Sequence, residues 1–298
     1  MDRGGCSLSG GGGGERQASE RQETGSQSGM ITLEELESLS EDQILDSGNG
    51  SLEEGEIVEG EQDRLLHYWQ DIARGHRVEV PRDMAEPIQQ LTTNNNGTHN
   101  RETVPFTLIS RKEKVRIHQC KSMTGLGGAV GLQCGDVLYE KRNYKKAYWA
   151  CITVKEETYE QSICYGFMRI MRYICQQNSL GSYLGMTLPI VTVLRTNEMH
   201  TTLSGAVTVA YYLPSQHQAQ PPQPYDTGVV IEQWPATIVY TRAFTGATNE
   251  TIILNEINIL AELLDSPELY VTDSFIVASY TNPAAANREN EMWFFKRP

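Results

Sequence analysis

Two stretches of the chain, VLYEKRNYKKAYWACITV at Val137–Val154 and VVIEQWPATIVYTRAF at Val229–Phe244, share one pattern and decide the fold. Each contains two runs of alternating apolar and polar residues, which is typical of strands with one buried face. Each is followed by a segment with a single apolar stripe at helical spacing. The stripes, 90 residues apart, are Ile163, Phe167, Ile170 and Ile174, and then Ile253, Ile257, Leu260 and Leu264.

Further strand patterns follow each predicted helix. They cover Met186–Leu194 and Ala206–Leu213 after the first helix, and Asp273–Tyr280 and Glu291–Lys296 after the second. Two units of the same order indicate an internal repeat. The sequence therefore predicts an α+β fold, in which a duplicated ββαββ unit forms a distorted antiparallel β-barrel flanked by two long helices.

The charge of the chain is concentrated at its N-terminal end. Residues 1–63 carry 16 of the 38 acidic residues and 3 of the 25 basic ones, so the remainder carries 22 of each and has no net charge. With few large apolar side chains, the first part is expected to be disordered. The predicted organisation is a disordered acidic tail at 1–60, a short helical segment at 61–91, a linker at 92–111 and a folded domain at 112–298.

The first long helix has a second apolar stripe beside the one that faces the sheet. It consists of Cys164, Met168, Met171 and Cys175. A helix on a sheet needs only one apolar face, so the second must be covered by something else. A flat apolar ligand, another subunit and the 61–75 helix are open alternatives, and soft sulfur side chains suit a planar macrocycle. The apolar face of the 61–75 helix consists of Leu65, Leu66, Trp69 and Ile72.

Several classes of function are disfavoured by the composition. Without a basic patch, nucleic-acid binding is not expected. No run is long enough to span a bilayer, and the six cysteines form no C-x-x-C pair, which is typical of reduced thiols in a cytoplasmic protein. Neither H-E-x-x-H, G-x-S-x-G nor a phosphate-binding loop occurs, and no histidine has a second ligand at metal-binding spacing, so neither catalysis nor a metal site is predicted.

Four motifs of the repeat region point to a known family. They are LGMTLPI at Leu184–Ile190, PPQPYD at Pro221–Asp226, IVYTRAFTG at Ile238–Gly246 and RENEMWFFK at Arg288–Lys296. With them, residues 112–298 resemble the SOUL, or haem-binding protein, family. The resemblance implies a distorted β-barrel with two flanking helices, and binding of haem or another tetrapyrrole in an apolar cleft beside the first helix.

The resemblance also implies where a ligand would bind. Members that hold haem without an iron ligand use basic side chains at positions that here are Cys164, Arg172 and Ala285, of which one is basic. Members that ligate the iron use a histidine where this chain has Asn143, and asparagine is not a strong axial donor. Haem is thus expected only at low affinity or without a histidine ligand. The candidate ligand-binding residues are Cys164, Phe167, Met168, Met171, Arg172 and Ala285.

The predicted function is non-enzymatic binding of haem, another tetrapyrrole or a flat apolar molecule. The alternative is a protein-interaction module that has lost haem binding and acts through the acidic tail or the second amphipathic helix. Use of that helix would expose core side chains, at roughly 1.5–3 kcal/mol each.

Overall fold

The computed structural model describes residues 54–95, 101–114, 116–119, 130–133, 136–280 and 289–298. The helices of this part of the chain are α1 (Glu54–Gly75), α2 (Ala85–Asn95), α3 (Tyr159–Cys175) and α4 (Glu250–Leu264). Its strands are β1 (Glu102–Thr103), β2 (Phe106–Glu113), β3 (Arg116–Gln119), β4 (Val130–Gln133), β5 (Val137–Tyr144), β6 (Ala147–Lys155), β7 (Thr187–Leu188), β8 (Ile190–Arg195), β9 (Ala206–Tyr212), β10 (Val229–Trp234), β11 (Thr237–Thr245), β12 (Tyr270–Ser279) and β13 (Glu289–Lys296).

The main sheet has nine strands in the order β10-β6-β9-β8-β12-β13-β11-β5-β2, and every neighbouring pair is antiparallel. Two small sheets, β1–β7 and β3–β4, accompany it. The α+β class is confirmed. The sheet is open, since β10 and β2 are its edges, so the predicted barrel is not closed by hydrogen bonds among the described strands.

The strand order has a regular internal relation. Each strand of the first predicted unit has a counterpart in the second: β5 and β10, β6 and β11, β8 and β12, β9 and β13. When every strand is replaced by its counterpart, the order of these eight strands in the sheet is the observed order read backwards. The strand β5 pairs with β11 and β6 pairs with β10 in one continuous register, in which Tyr144 lies opposite Thr237 and Ala147 opposite Trp234. The connected strands β5 and β6 therefore pair with the other unit and not as a hairpin with each other.

The two long helices begin and pack as their sequences predict. The Thr158 side chain accepts a hydrogen bond from the Gln161 backbone N–H at the start of α3 (3.2 Å), and Asn249 caps α4 at Ile252 (2.9 Å). Such caps satisfy backbone donors that the first turn leaves unpaired. The predicted stripes of both helices are confirmed as core, because all eight of their side chains are buried.

The two faces of the sheet differ in what covers them. One face packs against α3 and, in its other half, against α4; it contributes residues such as Ile152, Tyr211 and Phe275 to the cores under these helices. The opposite face forms a third core that includes Trp149, Tyr212 and Trp293. Because successive side chains of a strand point to opposite faces, adjacent residues such as Tyr211 and Tyr212 serve different cores.

The N-terminal part of the structure departs from the predicted boundaries. Helix α1 begins at Glu54 and not near 61, and α2 extends to Asn95, four residues into the predicted linker. Strands β1 and β2 use residues 102–113, which were also assigned largely to the linker, and β2 pairs with β5. Residues 1–53 of the predicted tail lie outside the described residues.

Candidate functional site

The second apolar stripe of α3 is covered by the segment formed by α1, α2 and their connection, residues 54–95, called here the N-terminal cover. All four stripe residues, Cys164, Met168, Met171 and Cys175, are buried, at 6%, 4%, 0% and 1% exposure. They share one core with Leu65, Leu66 and Trp69 of α1. The predicted docking of the helix near 61–75 is therefore confirmed for these three side chains; the side chain of Ile72 lies outside the described part.

The centre of this interface is an aromatic pair. The indole of Trp69 lies parallel to the ring of Phe167, with centroids 6.2 Å apart and planes inclined by 5°. Trp69 is 1% exposed. The space left beside the pair is about 10 Å³, hardly the volume of one water, so a macrocycle does not fit here while the cover is in place.

A carboxylate of the cover holds the basic candidate residue. Asp83 accepts a hydrogen bond from Arg172 Nη2 at 2.8 Å, although the Asp83 side chain itself is 62% exposed. Further along α3, Gln176 Nε2 donates to Glu86 (3.0 Å) and Cys175 Sγ donates to the carbonyl of Pro87 (3.3 Å). The cover thus supplies polar partners at the C-terminal end of α3.

Two buried donors at this interface have no hydrogen-bond partner. They are Trp69 Nε1 and Arg172 Nε. A buried donor left unpaired costs about 1–3 kcal/mol. The interface between the cover and α3 is therefore well packed in its apolar part and imperfect in its polar part.

The thiols on α3 are neutral in this environment. Burial, together with the Glu160 carboxylate, raises the pKa of Cys164 to about 12. Burial and Glu86 raise the pKa of Cys175 as well. A thiolate ligand for iron is disfavoured at these positions, since ligation requires the deprotonated form.

The position of the family histidine is not on an element that packs against α3. Asn143 lies on β5, on the strand face that also carries Tyr139, which packs with the core under α4. Helix α3 instead packs over β6 and β9. Ala285 lies outside the described residues. The structure therefore assembles Cys164, Phe167, Met168, Met171 and Arg172 on one helix, without Asn143.

A larger cavity lies on the opposite face of the sheet, and sequence analysis missed it. Its volume is about 210 Å³. Residues from both ends of the strand order line it, among them three of the four tryptophans. The lining residues are Val104, Pro105, Tyr144, Lys145, Lys146, Ala147, Trp149, Tyr212, Gln218, Trp234, Pro235, Thr237, Val239, Ile276, Trp293 and Phe295. The aromatic residues that end three of the strands, Tyr144, Tyr212 and Trp234, were the available signal.

A buried ion-pair network lies on the same face. Arg142 donates to Glu140 (2.8 Å) and, through both terminal nitrogens, to Glu291 (2.7 and 2.9 Å). Burial by itself would raise the pKa of Glu140, but hydrogen bonds from Arg142 and Arg111 lower it below its usual value. Glu232 of β10 accepts a hydrogen bond from the indole of Trp234 at 3.0 Å. Both carboxylates thus anchor the side chain two residues ahead of them, which is a structural role.

No metal-binding group of histidine, cysteine and acidic residues occurs among the residues that the structure describes. None of its described helices combines the length and the apolar character that a membrane span requires.

Comparisons with known proteins agree on one family. Heme-binding protein 1 of Xenopus laevis is 28% identical over 161 residues, which cover 54% of this chain and 84% of that protein. Heme-binding protein 1 of Mus musculus is 29% identical, covering 54% and 85%, and Heme-binding protein 2 of Homo sapiens is 27% identical, covering 53% and 78%. Among solved structures, the EcmrR C-terminal domain is 12% identical with a TM-score of 0.37, covering 53% of this chain and 96% of that chain, too distant a likeness to support an argument.

The model of the SOUL heme-binding protein family matches residues 131–295, which contain β5 to β12, all but the last residue of β13, and helices α3 and α4. This match covers more than half of the chain and includes the α3 residues described above. The chain belongs to the SOUL heme-binding protein family.

Proposed function

We propose that this protein binds haem or a related flat tetrapyrrole beside α3, without catalysing a reaction, when the N-terminal cover moves away. The observation that carries the proposal is the chemistry of the cover itself. Trp69 places an aromatic plane on Phe167, and Asp83 places a carboxylate on Arg172. A tetrapyrrole would offer the same two groups, a flat apolar ring and a propionate.

The cover has features of an exchangeable partner. A ligand carboxylate bound to Arg172 could form two parallel hydrogen bonds and satisfy the Nε that now lacks a partner. Against this, uncovering the α3 face exposes several apolar side chains at roughly 1.5–3 kcal/mol each. Every 1.4 kcal/mol by which the covered form is favoured lowers the apparent affinity about tenfold. We therefore expect weaker tetrapyrrole binding than an open cleft would give.

Iron ligation is not supplied by the family histidine position. Asn143 occupies it, and β5 lies away from the strands on which α3 packs. In the covered state, burial raises the pKa of Cys164 to about 12, so the thiol is neutral before the cover moves away. The bound ring is accordingly held by apolar contacts and by Arg172, so a metal-free porphyrin is expected to bind about as well as haem.

Titrations of haem and of metal-free protoporphyrin into the full chain test this proposal, with absorption and tryptophan fluorescence as readouts. Asp83→Asn removes the carboxylate that competes for Arg172, and we expect roughly twofold to fivefold tighter binding, the effect of one exposed ion pair. Asp71→Asn is the matched control, because Asp71 pairs with Arg74 on the exposed face of α1 and not with α3 among the described residues. If neither compound changes either signal at micromolar concentrations in wild type and in Asp83→Asn, tetrapyrrole binding is refuted.

The alternative, a protein-interaction role, divides into two cases. Docking of a partner through α4 would have to remove Ile253, Ile257 and Leu260 from the core, where each is 0% exposed. The burial of these three side chains argues against docking of a partner through the apolar stripe of α4. Interaction through the acidic tail stays a prediction, since residues 1–53 lie outside the described part.

The internal repeat and the cellular compartment are also proposals. The reversal of the strand order on exchange of the two units supports a duplicated ββαββ unit about a pseudo-two-fold axis. The buried free thiols Cys151, Cys164 and Cys175 support a reducing compartment such as the cytoplasm.

A further inference from the structure

We propose a second binding site, independent of the tetrapyrrole cleft, in the cavity on the face of the sheet opposite the helices. Its ligand is a planar aromatic molecule of about two fused rings that carries one carboxylate. None of the residues that form it belongs to α3 or to the N-terminal cover.

The walls of the cavity are aromatic on two sides. On one side Trp149 and Trp234 stack with centroids 4.6 Å apart, and Tyr212 meets Trp149 edge to face at 5.3 Å. On the other side Tyr144 stacks on Trp293 at 4.8 Å. These two groups come from opposite ends of the strand order and line the same space. Aromatic rings bury large apolar areas and favour stacked or edge-to-face contacts, so an aromatic ligand is the chemistry that suits this lining.

The cavity opens where the backbone pairing between strands is interrupted. The continuous pairing of β5–β6 with β11–β10 is interrupted at Lys145–Lys146 and at Pro235–Ala236, which face each other in the register. Proline has no N–H to donate, so a ladder hydrogen bond from residue 235 is ruled out. The two sheet halves diverge at this interruption, and the cavity lies where they part.

The positive charge of two lysines at the mouth of the cavity favours a negatively charged ligand. Lys145 and Lys146 are exposed, line the cavity and form no ion pair with any residue that the structure describes. No acidic side chain is among the lining residues. Of the carboxylates near the cavity, Glu140 and Glu291 are neutralised by Arg142. Glu232 and Glu102 keep their charge and accept hydrogen bonds from the Trp234 indole and from Ser215, outside the lining. An anionic group at the rim therefore meets two unpaired ammonium groups.

The size of the cavity limits the ring system. Its 210 Å³ is below the roughly 300–1,000 Å³ of sites for drug-sized ligands. A bicyclic aromatic acid suits this volume, whereas a tetrapyrrole is far too large. The two sites thus differ in ligand size and can be titrated separately.

Calorimetric titration of the full chain with 2-naphthoate, neutral 2-naphthamide and 2-naphthylmethylammonium tests the site. We expect 2-naphthoate to bind tightest and the ammonium compound weakest. Lys145→Gln and Lys146→Gln should each weaken 2-naphthoate roughly twofold to fivefold and leave 2-naphthamide unchanged, as expected for exposed charge pairs. Lys155→Gln is the matched control, because Lys155 is an exposed lysine at the far end of β6.

A blocking variant tests the location. Thr237→Trp places a large ring in the cavity and should abolish 2-naphthoate binding without altering porphyrin titrations. Absence of binding by 2-naphthoate in wild type overturns the proposal, as does tighter binding of the ammonium compound. The location is equally overturned if 2-naphthoate binding is unchanged in Lys145→Gln, Lys146→Gln and a folded Thr237→Trp. Should Thr237→Trp fail to fold, the two lysine variants decide the question alone.

Discussion

Replacing Trp69 by alanine should release the N-terminal cover from α3 while the sheet stays folded. Trp69 is 1% exposed and stacks on Phe167, and truncation of such a side chain costs about 3–5 kcal/mol. The same change removes a buried indole N–H without a partner, which returns about 1–3 kcal/mol. A net loss of about 2 kcal/mol corresponds to a roughly thirtyfold larger open population.

Hydrogen exchange and methionine oxidation measure this opening. In Trp69→Ala we expect the backbone amides of α1 to exchange roughly thirtyfold faster, with the strand amides unchanged, because local opening governs exchange in a docked segment. Met168 and Met171, at 4% and 0% exposure, should be oxidised faster by peroxide for the same reason. Trp69→Phe is the matched control, since it keeps a ring against Phe167 and removes the unpaired donor.

The result that refutes this reasoning is specific. If α1 exchanges at the same rate in wild type, Trp69→Ala and Trp69→Phe, the aromatic stack does not hold the cover. If α1 exchanges faster but Met168 and Met171 stay protected, something other than α1 covers the second stripe of α3. Either outcome would also remove the basis for a tetrapyrrole cleft gated by the cover.

Two further predictions concern reactivity and packing. Burial raises the pKa of Cys164 to about 12 and shields its sulfur, so alkylation by N-ethylmaleimide at pH 8 should be slow. Trp69→Ala should accelerate alkylation at Cys164 and leave Cys151, on the opposite face of the sheet, as an unreactive internal control. Gly166→Ala would place a Cβ 2.7 Å from Cγ2 of Val209, and we expect a loss of about 1–3 kcal/mol in urea unfolding, whereas Gly60→Ala, with open space around it, should be neutral or stabilising.

The elements that the sequence predicted are those whose signals are local. The stripes of α3 and α4 repeat with the period of a helix, and the flanking strands alternate with period two, so both could be read from a few residues. The stripe of Leu65, Leu66 and Trp69 was predictable for the same reason. The sequence did not decide which of three partners covers the second stripe of α3. An apolar face indicates that it is buried, but it does not indicate what buries it.

Long-range pairing could not be predicted in the same way. The link Lys145–Lys146 looks like a hairpin connection, yet it lacks the Asn-Gly or Asp-Gly signal of tight hairpins. Strand β5 instead pairs with β11, about a hundred residues away. The aromatic cavity depends on this pairing, since it brings Tyr144 and Trp293 opposite Trp149 and Trp234. The ion pair of Asp83 with Arg172, 89 residues apart, is another contact that only the folded chain reveals.

The cover also explains how the chain can retain one family residue and lose others. Of the three positions that the family resemblance assigns to basic, propionate-binding side chains, Arg172 alone is basic, and it is bound to Asp83 of the same chain. The Arg172 side chain is 19% exposed and that of Asp83 is 62% exposed, so their ion pair contributes about 0–1 kcal/mol. The Asp83 carboxylate therefore favours the covered state slightly, and an anionic ligand that binds Arg172 must compete with it. Under the proposed function, this competition makes the affinity depend on the cover, so variants of the cover residues that contact α3, such as Trp69 and Asp83, should alter binding without touching the ligand.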